Sequence, residues 1–168
     1  MKRIITTIFA TLAIISTAIP AHASEKSVGL LGGVSTSEPA PVAGVYFGWG
    51  VIQHLRITPS VVYQFEQHGT DAVMINLDVQ SPWTLTGTRF KVYPLAGITV
   101  SRWNTAGHHH DDSPAEKIRH DRLGFNVGGG VEWKPSALMG LKIFAEGKFA
   151  YADRFNTGVV SVGLGYVF

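Results

Sequence analysis

The sequence predicts an all-β fold, an eight-stranded antiparallel up-and-down transmembrane β-barrel. Apolar residues alternate with small or polar ones along about eight segments of strand length, the period of a strand with two unlike faces. The polar face is rich in glycine, which weakens a strand that faces water but suits the crowded interior of a narrow barrel. Aromatic residues of the apolar face collect at the strand ends, as in the two aromatic belts of a membrane barrel.

Residues 1–23 have the features of a secretory signal peptide. The segment begins with two basic residues near the amino terminus, continues through the apolar stretch Ile4–Ile19 and ends on the A-x-A pattern of a cleavage site. It is too short and too polar for a retained membrane anchor. We expect cleavage after Ala23, which leaves residues 24–168 as a single outer-membrane β-barrel domain.

The composition argues against several classes of protein. The chain has 14 Lys and Arg against 12 Asp and Glu, and the two leader cations are lost on cleavage, so no nucleic-acid partner is predicted. There is no cysteine and hence no disulfide framework. No apolar stretch of about 18 residues follows the leader, which excludes a membrane-spanning helix. No cofactor is predicted.

Each of the eight strands repeats the alternation, and each places its apolar residues on the outer face. On one side of the predicted membrane, strands are separated by a tight turn near Gln53-His54 and by a break at Ser81-Pro82-Trp83. On the other side lies a long polar loop, Asn104–Asp121. The outward residues, strand by strand, are Val28, Leu30 and Val34; Ala43, Val45, Phe47, Trp49 and Val51; Ile57, Pro59, Val61, Tyr63 and Phe65; Val73, Ile75, Leu77 and Val79; Phe90, Val92, Pro94, Ala96, Ile98 and Val100; Leu123, Phe125, Val127, Val131 and Trp133; Leu141, Ile143, Ala145, Phe149 and Tyr151; and Val160, Val162, Leu164, Tyr166 and Phe168.

Three late segments resemble the small outer-membrane barrels of the family that contains the transmembrane domain of outer membrane protein A. Gly124–Trp133 resembles the family's G-x-N-x-G-x-G-x-E-aromatic strand, Leu141–Tyr151 is similar to the next strand, and Gly163–Phe168 looks like the closing strand. The resemblance implies short periplasmic turns, four outer loops and a location in the outer membrane of a Gram-negative bacterium. It also implies that Tyr166 and Phe168 are read by the barrel assembly machinery.

Charged residues on the inward face are the first candidate site. Because charges removed from water must be paired, we interpret them as an ion-pair and water network that plugs the lumen, in which Glu132 and Glu146 each pair with a cation. The alternative is a narrow gated conductance in which the pairs exchange partners. The predicted network comprises Arg56, Asp78, Lys91, Arg122, Glu132, Lys142, Glu146 and Lys148, and the same face also carries Glu66 and Arg89.

The predicted outer loop contains a weak candidate metal site. Imidazole and carboxylate ligands suit Zn, Ni or Cu. Adjacent side chains in a loop are not held on one tetrahedron, so a solvated loop that binds metal adventitiously is the favoured interpretation. The candidate ligands are His108, His109, His110, Asp111 and Asp112.

The predicted function is non-enzymatic. Lipid A deacylase barrels resemble this chain in size, but their His-x-Ser pair has no counterpart in residues 149–156, which contain neither His nor Ser. We expect a monomeric structural or surface-exposed outer-membrane protein that contacts membrane lipids and lipopolysaccharide and has outer loops as interaction sites. The alternatives are a narrow transporter of small solutes or hydrophobic compounds and, third, a barrel enzyme that modifies lipid A.

Overall fold

A computed structural model describes most of the chain as β-structure. It describes residues 25–36, 39–67, 69–106, 117–135, 140–152 and 155–168. The predicted signal peptide and the cleavage site after Ala23 lie outside these ranges. The strands are β1 (Lys26–Ser35), β2 (Ala40–Ile52), β3 (Leu55–Gln67), β4 (Thr70–Gln80), β5 (Trp83–Thr84), β6 (Phe90–Ala106), β7 (Lys117–Trp133), β8 (Leu141–Ala152) and β9 (Phe155–Val167).

Eight of these strands close into an antiparallel barrel, which confirms the predicted fold. Each pairs with its neighbours in the order β1-β2-β3-β4-β6-β7-β8-β9, and β9 returns to pair with β1. Closure gives every barrel strand two hydrogen-bonded neighbours, so the sheet has no open edge along the paired region. The two-residue β5 pairs only with the start of β6. Within the described ranges, no helix is long and apolar enough to cross a membrane.

The predicted alternation of faces is also present. Outward apolar side chains are not covered by other parts of the protein: Leu30 is 65% exposed and Leu164 is 55% exposed. Inward polar side chains are enclosed, and Asn126 and Glu132 are each only 1% exposed. A water-soluble protein has the reverse distribution, with charges outside and large apolar side chains inside.

Aromatic side chains on the outer face form a belt at each end of the barrel. One end, which we call the terminal end, holds Glu25 and Phe168. There the rings of Phe90 and Trp133 stack with centroids 6.1 Å apart, as do those of Tyr166 and Phe168 at 6.5 Å. The opposite end, the loop end, carries the pairs Tyr63–Phe65 at 5.2 Å and Phe125–Tyr151 at 4.8 Å.

The predicted loop Asn104–Asp121 is too long. β6 continues to Ala106 and β7 begins at Lys117, with Arg102 directly opposite Asp121 in the register. The Arg102 guanidinium donates two hydrogen bonds to the Asp121 carboxylate, of 2.6 and 2.8 Å. An opposite-charge cross-strand pair of this kind stabilises a ladder, which explains why strand structure continues where the sequence becomes polar. His108–Asp112 lie outside the described residues.

The inward glycines leave space for aromatic rings. A Cβ atom built at Gly163 would collide with the Phe144 ring, and one built at Gly130 would lie 2.5 Å from Cζ of Tyr93. By contrast, a Cβ at the outward-facing Gly147 would meet nothing within 4 Å. The interior is therefore crowded, as predicted for a narrow barrel, because aromatic side chains pack directly against the backbone of inward-facing glycines.

Candidate functional site in the barrel interior

Six buried ionised side chains occupy the terminal half of the lumen, and we call them the charged interior. They come from four strands, β3, β4, β7 and β8, and their three cations balance three anions. Each lies at an inward position of its strand, because period-two alternation directs every second side chain into the barrel. The members are Arg56, Asp78, Glu132, Lys142, Glu146 and Lys148.

Glu132 is the centre of the network nearest the terminal end. Its carboxylate lies 2.7 Å from Nη1 of Arg56, 3.8 Å from Nζ of Lys142 and 3.9 Å from Nζ of Lys91. Arg56 and Lys142 reach it from β3 and β8, so one carboxylate joins strands on different sides of the barrel. Such charge-assisted contacts are the arrangement that a carboxylate excluded from water requires.

A second centre lies deeper, around Lys148. Its Nζ is 3.0 Å from Oδ2 of Asp78 and 3.9 Å from Oε1 of Glu146. Oε2 of Glu146 also accepts hydrogen bonds of 3.1 Å from the Tyr93 hydroxyl and the Gln80 amide. Glu146 is therefore held by a cation and by two neutral donors.

Two neutral side chains connect these centres, and the sequence reading did not include them. Gln80 donates to Glu146 and accepts a 2.7 Å hydrogen bond from Nε of Arg56. Tyr93 donates to Glu146, and the Arg56 guanidinium carbon lies 5.2 Å from the centroid of its ring. Their place in the alternation located both on the inward face, but nothing in the sequence indicated that they bridge charges.

A further ion cluster covers the mouth of the lumen at the terminal end. Oε2 of Glu25 lies 2.5 Å from Nζ of Lys134 and 3.6 Å from Nζ of Lys91. Partial burial acts to raise the pKa of Glu25, but the hydrogen bond and the charge of Lys134 outweigh it and hold the pKa below its ordinary value. Glu25 and Lys134 were not among the predicted site residues, because both lie just beyond strand ends.

The loop half of the lumen is closed by apolar side chains, which we call the apolar interior. Its members come from β1 to β4 and from β9, and they interrupt the polar character of the inward face. Beside them Gln64 is fully buried, and neither the oxygen nor the nitrogen of its amide has a hydrogen-bond partner among the described residues. The members are Leu31, Val42, Val62, Met74 and Val159.

The described part of the lumen contains a small cavity of about 20 Å³. Its wall includes Leu31 of the apolar interior and Asp78 and Lys142 of the charged interior. The interior is therefore filled by side chains along much of its length rather than forming an open pore.

Not every predicted interior residue joins the charged interior. Lys91 reaches it from the mouth, and Arg122 is half-buried on β7 near the loop end. Glu66 and Arg89 are exposed, so their predicted interior positions are wrong. Glu66 lies at a register shift between Gln64 and Gln67, near the end of β3, and Arg89 belongs to the turn before β6.

The structure does not test the predicted metal site. His108, His109, His110, Asp111 and Asp112 lie in the part of the chain that the structure does not describe. Among the described residues, no three His, Asp or Glu side chains are grouped so that they could hold a metal ion.

Several known structures with a similar fold are bacterial outer-membrane proteins. The N-terminal β-barrel domain of OprF from Pseudomonas aeruginosa matches with a TM-score of 0.68 at 16% identity, over 86% of this chain and 97% of that one. The fold is that of a small outer-membrane β-barrel. Neisserial surface protein A matches with a TM-score of 0.69 at 14% identity, over 89% and 100% of the two chains.

A third structural neighbour comes from another bacterium. Ail, the attachment invasion locus protein of Yersinia pestis, matches with a TM-score of 0.61 at 13% identity, over 86% of this chain and 97% of its own. No protein-family model and no curated protein matches the sequence. The resemblance inferred from the late strands is thus confirmed at the level of the fold.

Proposed function

We propose that this protein is a non-enzymatic barrel of the outer membrane of a Gram-negative bacterium, with a closed lumen and with loops that present its interaction surfaces. The observation that carries the proposal is the inverted distribution of side chains. Large apolar side chains, aliphatic or aromatic, are exposed on each of the eight barrel strands, and charged side chains are buried inside. Hydrocarbon is the solvent in which this arrangement is stable.

The spacing of the aromatic belts fits one bilayer. Phe125 and Trp133 delimit nine residues of β7, and a tilted strand needs about 9–11 residues to cross a bilayer. The outward Arg102–Asp121 ion pair lies at the loop end, because Arg102 and Tyr63 are both register partners of Val73. Polar headgroups would solvate it there.

A closed lumen favours a structural or surface role over transport. The charged interior and the apolar interior occupy successive levels of the lumen, so a solute that passed one would still meet the other. Function is then expected in the outer loops, which a rigid barrel holds at the cell surface. The proposed partners are membrane lipids and lipopolysaccharide around the barrel, and the assembly machinery at the exposed rings of Tyr166 and Phe168.

Detergent-gel mobility tests the membrane barrel. The processed chain should need detergent or lipid to stay monodisperse, and it should migrate differently before and after boiling, because a closed barrel resists unfolding until heated. A chain that remains dissolved and monodisperse in plain buffer would contradict the proposal.

Planar-bilayer recording and lipid A analysis test the assigned role. We expect no wide, stable conductance from the reconstituted protein. A large open channel would favour the transporter alternative. Mass spectrometry of lipid A from cells with and without the gene should give identical acyl chains, and the loss of one acyl chain in the presence of the protein would instead indicate an enzyme.

A further inference from the structure

Three charged residues at strand ends meet over the mouth of the lumen at the terminal end. Glu25 precedes β1, Lys91 is the second residue of β6, and Lys134 follows β7. Each lies two residues from a buried residue of its own strand, so each continues the inward face beyond the barrel wall. Those buried residues are Ser27, Tyr93 and Glu132.

Glu25 reaches across the mouth rather than along the wall. In the barrel order β1 lies opposite β6 and β7, yet the Glu25 carboxylate contacts Lys134 at 2.5 Å and Lys91 at 3.6 Å. Its backbone is anchored by Gly50, whose N–H donates a 2.9 Å hydrogen bond to the Glu25 carbonyl. A Cβ at Gly50 would lie 3.2 Å from that oxygen, so the absence of a side chain at this position permits the close approach.

The mouth carries more positive than negative charge. Four cations surround it against two carboxylates, those of Glu25 and Glu132, and without Glu25 the excess would be three. Lys91 and Lys134 remain 27% and 29% exposed, so solutes can reach them. A cleft with charge of one sign and low-dielectric walls concentrates counter-ions. The cations are Arg56, Lys91, Lys134 and Lys142.

We propose that this mouth is a binding site for a small oxyanion, a carboxylate or a phosphate, and that the Glu25 side chain occupies it as a tethered competitor. The Glu25 carboxylate is itself an oxyanion seated between two ammonium groups, which shows the chemistry that the site accepts. Lysine binds such groups as a point charge and imposes little geometry. A soluble anion would displace the side chain and take its place beside Lys91 and Lys134.

The test compares the native mature chain with Glu25→Gln, both in zwitterionic detergent micelles. Inorganic phosphate or acetate is added at constant ionic strength, held with chloride, and the backbone amide signals of Gly50 and Lys91 are followed by NMR. A tethered competitor acts at an effective concentration in the millimolar range, so its removal should lower the half-saturating phosphate concentration about tenfold. Unchanged heat-modifiable mobility confirms that the variant barrel is closed.

Two further variants complete the test. Glu66→Gln removes an exposed carboxylate at the loop end and should titrate like the native chain. Glu25→Gln combined with Lys91→Met and Lys134→Met should lose saturable binding. Saturation by phosphate, by acetate or by both supports the site and identifies its anion. The proposal is overturned if Glu25→Gln shows no saturation or titrates like the native chain, or if the triple variant still binds. None of these readouts depends on conductance or on a cell-surface role.

Discussion

The two halves of the lumen are closed by different physical means. The charged interior of the terminal half consists of ion pairs whose partners are fixed by distance, such as Arg56 and Glu132 at 2.7 Å. The apolar interior of the loop half consists of packed aliphatic side chains, such as Val62 and Met74. Side chains fill both halves, but only the charged interior requires a particular atom at a particular place.

This difference predicts unequal tolerance of substitution. An ion pair out of water depends on each partner, because the loss of one leaves the other charged, buried and unpaired. An aliphatic cluster depends mainly on volume, so one side chain can replace another of similar size. The same barrel wall therefore encloses one half that is chemically specific and one that is chemically permissive.

Glu132→Gln should have the largest effect. The amide keeps the shape of the side chain but leaves Arg56 and Lys142 without their shared carboxylate, so the free energy of unfolding should fall by about 3–5 kcal/mol. Urea unfolding of the protein in lipid vesicles, followed by tryptophan fluorescence, measures the change.

Glu66→Gln is the matched control for that substitution. Glu66 is exposed, and its replacement should change the free energy of unfolding by less than about 0.5 kcal/mol. If Glu132→Gln were as mild as this control, the ion pairs would not determine the stability of the terminal half.

Met74→Ala should have an intermediate effect. Met74 is 5% exposed within the apolar interior, and its truncation should cost about 2–3 kcal/mol through lost burial and the cavity left behind. The same urea titration applies. Met74→Leu keeps the volume and should cost less than about 1.5 kcal/mol. Equal losses for the two variants would show that this half is as specific as the other.

The smallest effect should come from acid acting on Glu25, at the outer edge of the charged half. Its pKa is lowered by Lys134 relative to the ordinary 4.5, so its contribution to stability is fully present well above that pH and disappears as the pH falls through the lowered pKa. The difference in free energy of unfolding between the native chain and Glu25→Gln should shrink accordingly in a pH series of urea titrations. A difference that stays constant down to the lowest pH would contradict the ion-pair contribution.

Alternation and composition were sufficient to predict the barrel and both aromatic belts. Period-two patterning fixes the face of residues within regular strands, so Glu132 and Lys142 could be assigned to the interior from the sequence. Strand length was harder to predict. Asp121 was predicted to lie in the loop, because its attraction to Arg102 depends on a cross-strand register that a linear sequence does not display.

The interior contacts were only partly accessible to sequence reasoning. Gln80 and Tyr93 bridge charged groups from different strands, and such contacts depend on distances across the barrel. The apolar interior had a visible signal, since Val62 and Met74 interrupt the polar face. In the mouth cluster only Lys91 had such a signal, because Glu25 and Lys134 lie beyond the strand ends.

The pairing of β1 with β9 gives the cylinder a single seam. All other neighbouring barrel strands are consecutive in the sequence, apart from the short β5 between β4 and β6. The first barrel strand, β1, and the last, β9, are instead joined by nine register pairs, from Ser27↔Val167 to Ser35↔Val159. Gly29 and Gly33 meet the opposite backbone so closely that any larger residue would hold the two edges apart. Pairing of β1 with β9 brings together the barrel strands that are farthest apart in the sequence. It is therefore the pairing step with the largest entropic cost of loop closure.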